Sequence, residues 1–474
     1  MHRSRARAIF TNDAECDDMN SFIHLLLYAN DIDIDGLVLS SSRFHYAGDP
    51  SAGIEPFRWA GGEWMWDYLD AYEQVYPNLV VHDPSYPTAD QLRSVTCVGN
   101  VKTTGCMDED SEGSELIRRA ILRDDPCPIW LLAGGGTNTI ARALKGIEER
   151  WRDSPAWGHV YRKVCDRTRI YMIVTQDDTY RDYICHAWPD LPLLHSTNMG
   201  GIAFLINEGN CPPDALALMK GAWLKPHLLD KGPLLAHYHS WGDGHVYPGE
   251  QDRSQFGSNP RLMGGAWWGR EPHGRHDMIS EGDSPSFLHL VDTGLRSLED
   301  PGFGGWGGRF ERKVDNEFNP AAAYWCSAPD EDRGPTRGDA YQFSRWTADW
   351  MREFACRAQW CVTGRYEDAN HAPHLDVVEG DNVTARPGER VALHARASDP
   401  DGDALDYDWF RYQEADTAPG GGEVLTSRDD EATVSVPLDA RPAETIHVIC
   451  RVRDCPAVGD DCLCAYRRVV VSVV

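Results

Sequence analysis

The strongest constraint on the fold is a unit repeated through the first 180 or so residues: a short apolar run, a polar or acidic end, then a stretch with helical spacing. "RAIFTN" followed by "DMNSFIHLLLYAND" is its first instance, with Phe22, Leu25, Leu26 and Leu27 on one helical face. "DIDGLVLSSS", "PIWLLAGGG" and "RIYMIVTQDD" repeat the strand, and "EGSELIRRAILRDD" and "TNTIARALKGIEERW" repeat the helix. Alternation at these lengths predicts βαβ units, hence an α/β fold with an open, mainly parallel sheet flanked by helices. Ligands of such sheets bind beyond the carboxyl ends of the strands. Those ends carry Asp13–Asp18, Ser40–Ser42, Ala133–Asn138 and Gln176–Asp178, which the topology sends to one rim.

Near residue 365 the pattern changes. Short alternating strands with Pro and Gly turns run from "NHAPHLDVVEG" through "ASDPDGDALDYDWF" to "RRVVVSVV", which predicts a C-terminal all-β, Ig-like sandwich. The expected division is residues 1–368 and 374–474, in keeping with a chain of 474 residues. The net charge of −28 argues against a nucleic-acid partner, which calls for clustered Lys and Arg. No apolar run approaches the ~18 residues of a membrane span. Seventeen Trp are many for one chain. "EWMWDY" (63–68) and "GGAWWGR" (264–270) read as too polar for core alone and suit stacking on sugar rings. Of the 14 Cys, the pairs Cys97/Cys106 and Cys356/Cys361 and the cluster Cys450, Cys455, Cys462 and Cys464 suggest short disulfide loops, with zinc a rival in the cluster. With the sequon at Asn382 they point to an extracellular protein; "MHRSRARAIF" lacks an apolar leader core, which keeps a cytoplasmic one open. Homo-oligomerisation is left open.

Asp13, Asp17 and Asp18 form D-x-x-x-D-D in a strand-to-helix turn. So many carboxylates coexist readily around a hard divalent cation such as Ca²⁺. The alternative is helix capping, with Asp13 as the cap and its neighbours at the positive helix end. "AGGGTN" (133–138) and "SEGDSPSF" (280–287) add a Gly turn at a strand end and two further carboxylates, Glu281 and Asp283.

Together with "TNDAECDDMNSFIHLLLYANDIDIDGLVLSSS", "GGTNTIARAL", "EGDSPSF" and "GLRSLEDPGFGGWGGRF", these segments resemble the nucleoside hydrolase superfamily, and more closely its cellulose-binding Sde182-type branch with an appended Ig-like domain. The resemblance implies a Ca²⁺ held by Asp13, Asp18, Asp283 and the backbone carbonyl of Ala133. It makes Asp13 also the general base, and Asp17 a ligand for a sugar hydroxyl. Departures are equally plain. Thr11 stands at the family's first acidic position, Ala14-Glu15 replaces Pro-Gly, so that Glu15 leaves the set, and Gly282 replaces a leaving-group His. The ribose-binding segment has no counterpart. Candidates for the missing parts are Glu281 as general acid and Asn138, Gln176, Asp177, His45 and Trp306 as substrate-binding residues. The expected activity is Ca²⁺-dependent hydrolysis of a glycosidic bond, a carbohydrate O-glycoside before a nucleoside. The alternative is carbohydrate binding, as to cellulose, without catalysis.

Overall fold

The computed structural model describes residues 5–197, 211–240, 242–245, 274–277, 280–330, 340–418, 420, 422–428, 430–455 and 462–474. The first unit is built on eight strands: β1 (Ala6–Asn12), β2 (Ile32–Leu39), β3 (Thr96–Val98), β4 (Ile129–Ala133), β5 (Thr168–Ile173), β6 (Leu193–Ser196), β7 (Phe310–Arg312) and β8 (Tyr324–Ser327). Their order in the sheet is β3-β2-β1-β4-β5-β6-β8-β7, and all pairs are parallel except β7 with β8. The chain runs outward from β1 to β3 and then returns to place β4 on the other side of β1. That reversal is the topological switch point at which open sheets of this kind bind ligands.

The alternating directions of strand side chains explain the two apolar cores. Ala8, Phe10, Leu37, Leu39, Leu132 and Tyr171 face one layer, which holds α1 (Cys16–Leu27), α2 (Trp64–His82) and the helix Thr347–Trp360. Ile9, Val38, Leu131, Ile170 and Met172 face the other, and pack on α3 (Glu112–Leu122), α4 (Asn138–Trp151) and α5 (Trp157–Arg167). Strands covered on both faces read as continuous apolar runs, which is why "IWLLA" and "RIYMI" stand out in the sequence.

The C-terminal unit has two four-stranded sheets. One is β10 (Asn382–Ala385), β16 (Cys464–Val473), β15 (Thr445–Cys455) and β12 (Ala404–Arg411); the other is β13 (Glu423–Arg428), β14 (Glu431–Ser435), β11 (Arg390–Ser398) and β9 (His374–Val377). Leu393, Trp409, Val434, Val448 and Val469 fill the space between them. The outer face of β15 and β16 is not solvated: Ile449, Cys464 and Tyr466 join the core of the first unit. Arg468, fully buried, donates to the carbonyls of Leu295 (2.7 Å) and Phe303 (2.6 Å). Asp349 receives Arg451 (3.2 Å), Arg453 (3.1 Å) and the Tyr466 hydroxyl.

Among the described residues the expected short disulfide loops are not formed; the side chain of Cys455 lies outside them. Cys97 and Cys106 carry free thiols. The thiol of Cys356 donates to the carbonyl of Asn370 (3.0 Å) and that of Cys361 to Arg357 (3.7 Å), so each satisfies a backbone acceptor instead of its neighbour. Cys450 faces the sandwich interior and Cys464 the first unit, on opposite sides of one sheet. Trp64 and Tyr68 of "EWMWDY" are buried against Phe22 and serve packing, not sugar stacking. "GGAWWGR" lies outside the described residues. Among the described residues no helix is long and apolar enough to cross a membrane.

Candidate carboxylate site at the switch point

β1 ends at Asn12, and the chain turns into α1 through Asp13, Ala14 and Glu15. Ala14 has φ 67°, in the left-handed region that costs an L-residue about 1–2 kcal/mol. Val174, just past β5, has φ 45°, and Arg58, in the loop that reaches the same rim, has φ 49°. Strained non-glycine residues persist where surrounding structure holds them, and they gather at functional sites. The turn carries Asp13 into the interior, where it is wholly buried, and puts Asp17 and Asp18 in the first turn of α1.

Capping does not account for these carboxylates. The residue at the cap of α1 is Glu15, whose side chain makes no capping bond, and Asp13 accepts from the Glu15 amide (3.2 Å) through Oδ1. Asp18 Oδ1 accepts from the Asp13 amide (3.0 Å), and Asp17 Oδ2 from the amide of Gly282 (3.1 Å). Asp283 arrives from the loop before the short helix Ser284–Leu288, within hydrogen-bond reach of Asp18. One oxygen on each of three buried acids is left over: Asp13 Oδ2, Asp17 Oδ1 and Asp283 Oδ2 have no hydrogen-bond partner among the described residues. Buried polar atoms are rarely left unsatisfied.

The electrostatics state the same problem. Burial, then the charges of Glu15, Asp283 and Asp13, hold Asp17 far above the usual carboxylate range. Burial and the charges of Asp13, Asp283 and Asp17 do so for Asp18. Burial pushes Asp283 up to about 8, with Asp13 and Glu15 adding to it and the bond to Asp18 opposing. Of these four, only Asp13 is held below the usual range: burial works against ionisation there, and the neighbouring His45, with hydrogen bonds from Ser42 and Asp18, more than offsets it.

The triple glycine after β4 is the other wall. A methyl group on Gly134 would lie 2.8 Å from Asp283 Cγ, and one on Gly135 2.8 Å from Asp13 Cβ. On Gly136 it would meet Asp177 Oδ2 and, at 2.6 Å, the Ser41 carbonyl. The glycines are there because carboxylates from β1, β5 and the late loop press against bare backbone. Ala133, the last residue of β4, lies between Thr11 and Met172 in the sheet.

The remaining candidates divide. His45 is brought to the site: its Nδ1 lies 3.7 Å from Asp13 Oδ2 and 3.6 Å from Glu15 Oε2. Gln176 donates to the Gly134 carbonyl and so fixes the glycine turn. Asn138 is not aimed at a ligand. Its amide group spans Ser40, Ser41 and the carbonyls of Asn100 and Cys106, at 2.7 to 3.1 Å. Asp177 caps α4 from outside, accepting from the Asn138 amide (3.0 Å), and also binds Thr137 (3.1 Å) and Thr179 (2.7 Å). Glu281 has both oxygens engaged, by His24 (2.6 Å), Ser284 (2.6 Å) and the Tyr238 hydroxyl, in a buried network under α1. A carboxyl so committed has most of its acceptor positions taken by protein side chains, which speaks against the general-acid expectation. Trp306 is buried beside Tyr466 at 6.4 Å, closed to any sugar ring. Glu15, set aside in the sequence because it replaces a glycine, returns: its carboxylate faces His45 on one side and Arg58 (3.6 Å) on the other. Its signal was the spacing of two from Asp13 across a bend. Arg58 had none.

A parallel sheet with its switch point lined by carboxylates and a bare-backbone turn, followed by a β-sandwich, defines a nucleoside hydrolase-like protein with a C-terminal all-β domain. Residues 7–310 match the nucleoside hydrolase-like domain of cellulose-binding Sde182, and residues 390–473 match the C-terminal domain of cellulose-binding protein Sde0182. The chain belongs to that family. Among solved structures it is similar to a nucleoside hydrolase-related hypothetical protein from Saccharophagus degradans, associated with carbohydrate metabolism. Identity is 26%, the TM-score is 0.74, and the match covers 99% of this chain and 100% of that one. The effector protein XOO4466 aligns over 77% of this chain and 95% of its own at 9% identity, with a TM-score of 0.36. No curated protein matches the chain.

Proposed function

We propose that this protein hydrolyses a glycosidic bond of a carbohydrate at the switch-point carboxylates, with Ca²⁺ as its cofactor. The observation that carries the reading is the set of oxygens on Asp13, Asp17 and Asp283, buried together and, among the described residues, without a hydrogen-bond partner and with no counter-cation but His45 at hand. Such a set fits a hard divalent ion, which takes several oxygen ligands. Asp13, Asp18, Asp283 and the Ala133 carbonyl would hold it. Once bound, the ion would supply a water of lowered pKa and a point of attachment for sugar hydroxyls. Asp13, ionised beside His45, is the group able to take a proton. Asp17, anchored through Oδ2 by Gly282, keeps Oδ1 for a hydroxyl donor. The strained backbone at Ala14 holds these two side chains in fixed relation.

The engagement of Glu281 favours a second reading, carbohydrate binding without turnover, which the cellulose-binding description of the family also supports. One experiment separates them. Full-length protein, stripped with chelator and reloaded with Ca²⁺, is incubated with cello-oligosaccharides, aryl O-glycosides and nucleosides. Hydrolysis of a glycoside that needs Ca²⁺ is expected, with Asp13→Ala lowering turnover by about 10²-fold or more while the far-UV circular dichroism stays unchanged. Turnover that survives complete Ca²⁺ removal overturns the metal-dependent mechanism. Retention on cellulose with no product from any substrate establishes the binding reading in its place.

A further inference from the structure

We propose that Asp13, Glu15 and His45 form a second cation site, for a borderline divalent ion of the zinc class, next to the position proposed for calcium. The three offer one donor atom each, and those atoms lie within 4.8 Å of one another. His45 Nδ1 stands 3.7 Å from Asp13 Oδ2 and 3.6 Å from Glu15 Oε2. Both separations exceed a charged hydrogen bond, although His45 and Asp13 are completely buried. They approach the spacing of two ligands on one ion: donors about 2.1 Å from a tetrahedral centre stand roughly 3.4 Å apart. Ca²⁺ packs six to eight oxygens around itself and does not select an imidazole. Asp13 Oδ2, wholly buried and without a hydrogen-bond partner, points into the gap.

The surroundings hold the three donors. His45 comes from a loop remote in sequence from Asp13, and that loop is locked by Ser42, whose hydroxyl accepts from the amides of Phe44 (2.9 Å) and His45 (3.2 Å). Arg58 lies 3.6 Å from Glu15 Oε1, which turns Oε2 toward His45. Second-layer contacts of this kind orient ligands at metal sites. Glu15, Cys16 and Asp17 also cluster, but they are consecutive residues and the chain itself enforces their closeness. An imidazole with two carboxylates suits Zn²⁺, Co²⁺ or Fe²⁺, and three protein ligands leave a position for water or substrate. Asp13 would bridge the two sites.

The site does not depend on hydrolysis, and its test reads binding. Chelated full-length protein is titrated with Co²⁺, followed by its visible ligand-field bands, and separately with Ca²⁺ by calorimetry. One equivalent of Co²⁺ is expected to give the intense bands of a low-coordinate site. His45→Ala and Glu15→Gln are expected to weaken Co²⁺ by at least about tenfold while Ca²⁺ affinity stays within about twofold; Asp283→Asn does the reverse. His45→Gln, closer in size, repeats the measurement with circular dichroism matching the wild type. Co²⁺ binding unchanged in both His45 variants, or no Co²⁺ binding by the folded wild type, overturns the proposal. Loss of Ca²⁺ binding alone would count against the calcium-dependent hydrolase and leave this site standing.

Discussion

At the scale of single residues the rim is tuned by the absence of methyl groups. Gly135→Ala would drive a carbon against Asp13 Cβ at 2.8 Å. It is expected to cost about 1–3 kcal/mol in denaturant unfolding and to abolish Ca²⁺ binding. Gly158→Ala, where a new methyl meets only Arg162 at 3.8 Å in the first turn of α5, is expected to stabilise by about 0.4–1 kcal/mol by restricting the unfolded chain. Equal effects from the two would refute the crowding argument. The acids also give the metal-free protein a defined pH response. Asp283 is raised to about 8 when folded, from an ordinary value near 4, and Asp17 and Asp18 are raised too. A carboxyl raised on folding contributes fully below its unfolded pKa, and that contribution is lost as pH rises through the folded one. The chelated protein is therefore expected to lose melting temperature from about pH 4 to about pH 8. Added Ca²⁺ should restore more at pH 8 than at pH 5, since it pairs with the ionised form. A chelated protein most stable at pH 8 would contradict this.

The parallel strands were legible from the sequence because a buried strand must be apolar on both faces, and "AIF", "LVL", "IWLLA" and "IYMI" have no polar break. The D-x-x-x-D-D turn was legible for the opposite reason: close carboxylates call for a compensating partner. What escaped the sequence was direction. Asn138, Asp177 and Glu281 sit at strand ends or beside ligand candidates, as binding residues do, yet each turns inward: Asn138 and Asp177 serve backbone groups that the strand-to-helix turns leave unpaired, and Glu281 binds the side chains of His24, Ser284 and Tyr238. Asp177 shows it best, holding the first amide of α4 from across the β5 turn. Asp177→Ala is expected to cost about 1–3 kcal/mol, with Asp177→Asn recovering part, in thermal unfolding. If Asp177→Ala left stability unchanged and impaired only ligand binding, its place would be among the substrate contacts after all. The segment "GLRSLEDPGFGGWGGRF" misled for a related reason: its glycines and tryptophan suggested an open sugar platform, whereas they admit a neighbouring chain segment closely. A methyl group on Gly294, at φ 84°, would collide with the Tyr466 carbonyl.

For the molecule as a whole, the question is how tightly the two units are joined. Arg468 is enclosed, its pKa lowered to about 10 by burial, and donates to the Leu295, Phe303 and Gly304 carbonyls. Tyr412 reaches back to Asp330 (2.7 Å), which also receives Arg309 and Arg345. Arg468→Met leaves those carbonyls unpaired, at about 1–3 kcal/mol each. Calorimetry of the wild type is expected to show one cooperative transition, and of Arg468→Met a lower transition that splits in two. Two separate transitions in the wild type would mean that the units unfold independently.

The burial of Trp306 and Tyr466 against each other bears on how such chains can be cut and recombined. Carbohydrate-active proteins are often thought of as catalytic and binding modules on a string, exchangeable at their linkers. Here the linker is short, but the true joint is a shared interior that neither half owns. Severed near residue 370, the first unit would present Trp306, Trp346 and Asp349 to water, and the sandwich would present Ile449, Tyr466 and the guanidinium of Arg468. The halves are heritable only as a pair, and a graft of either onto another scaffold must bring the matching face of its counterpart.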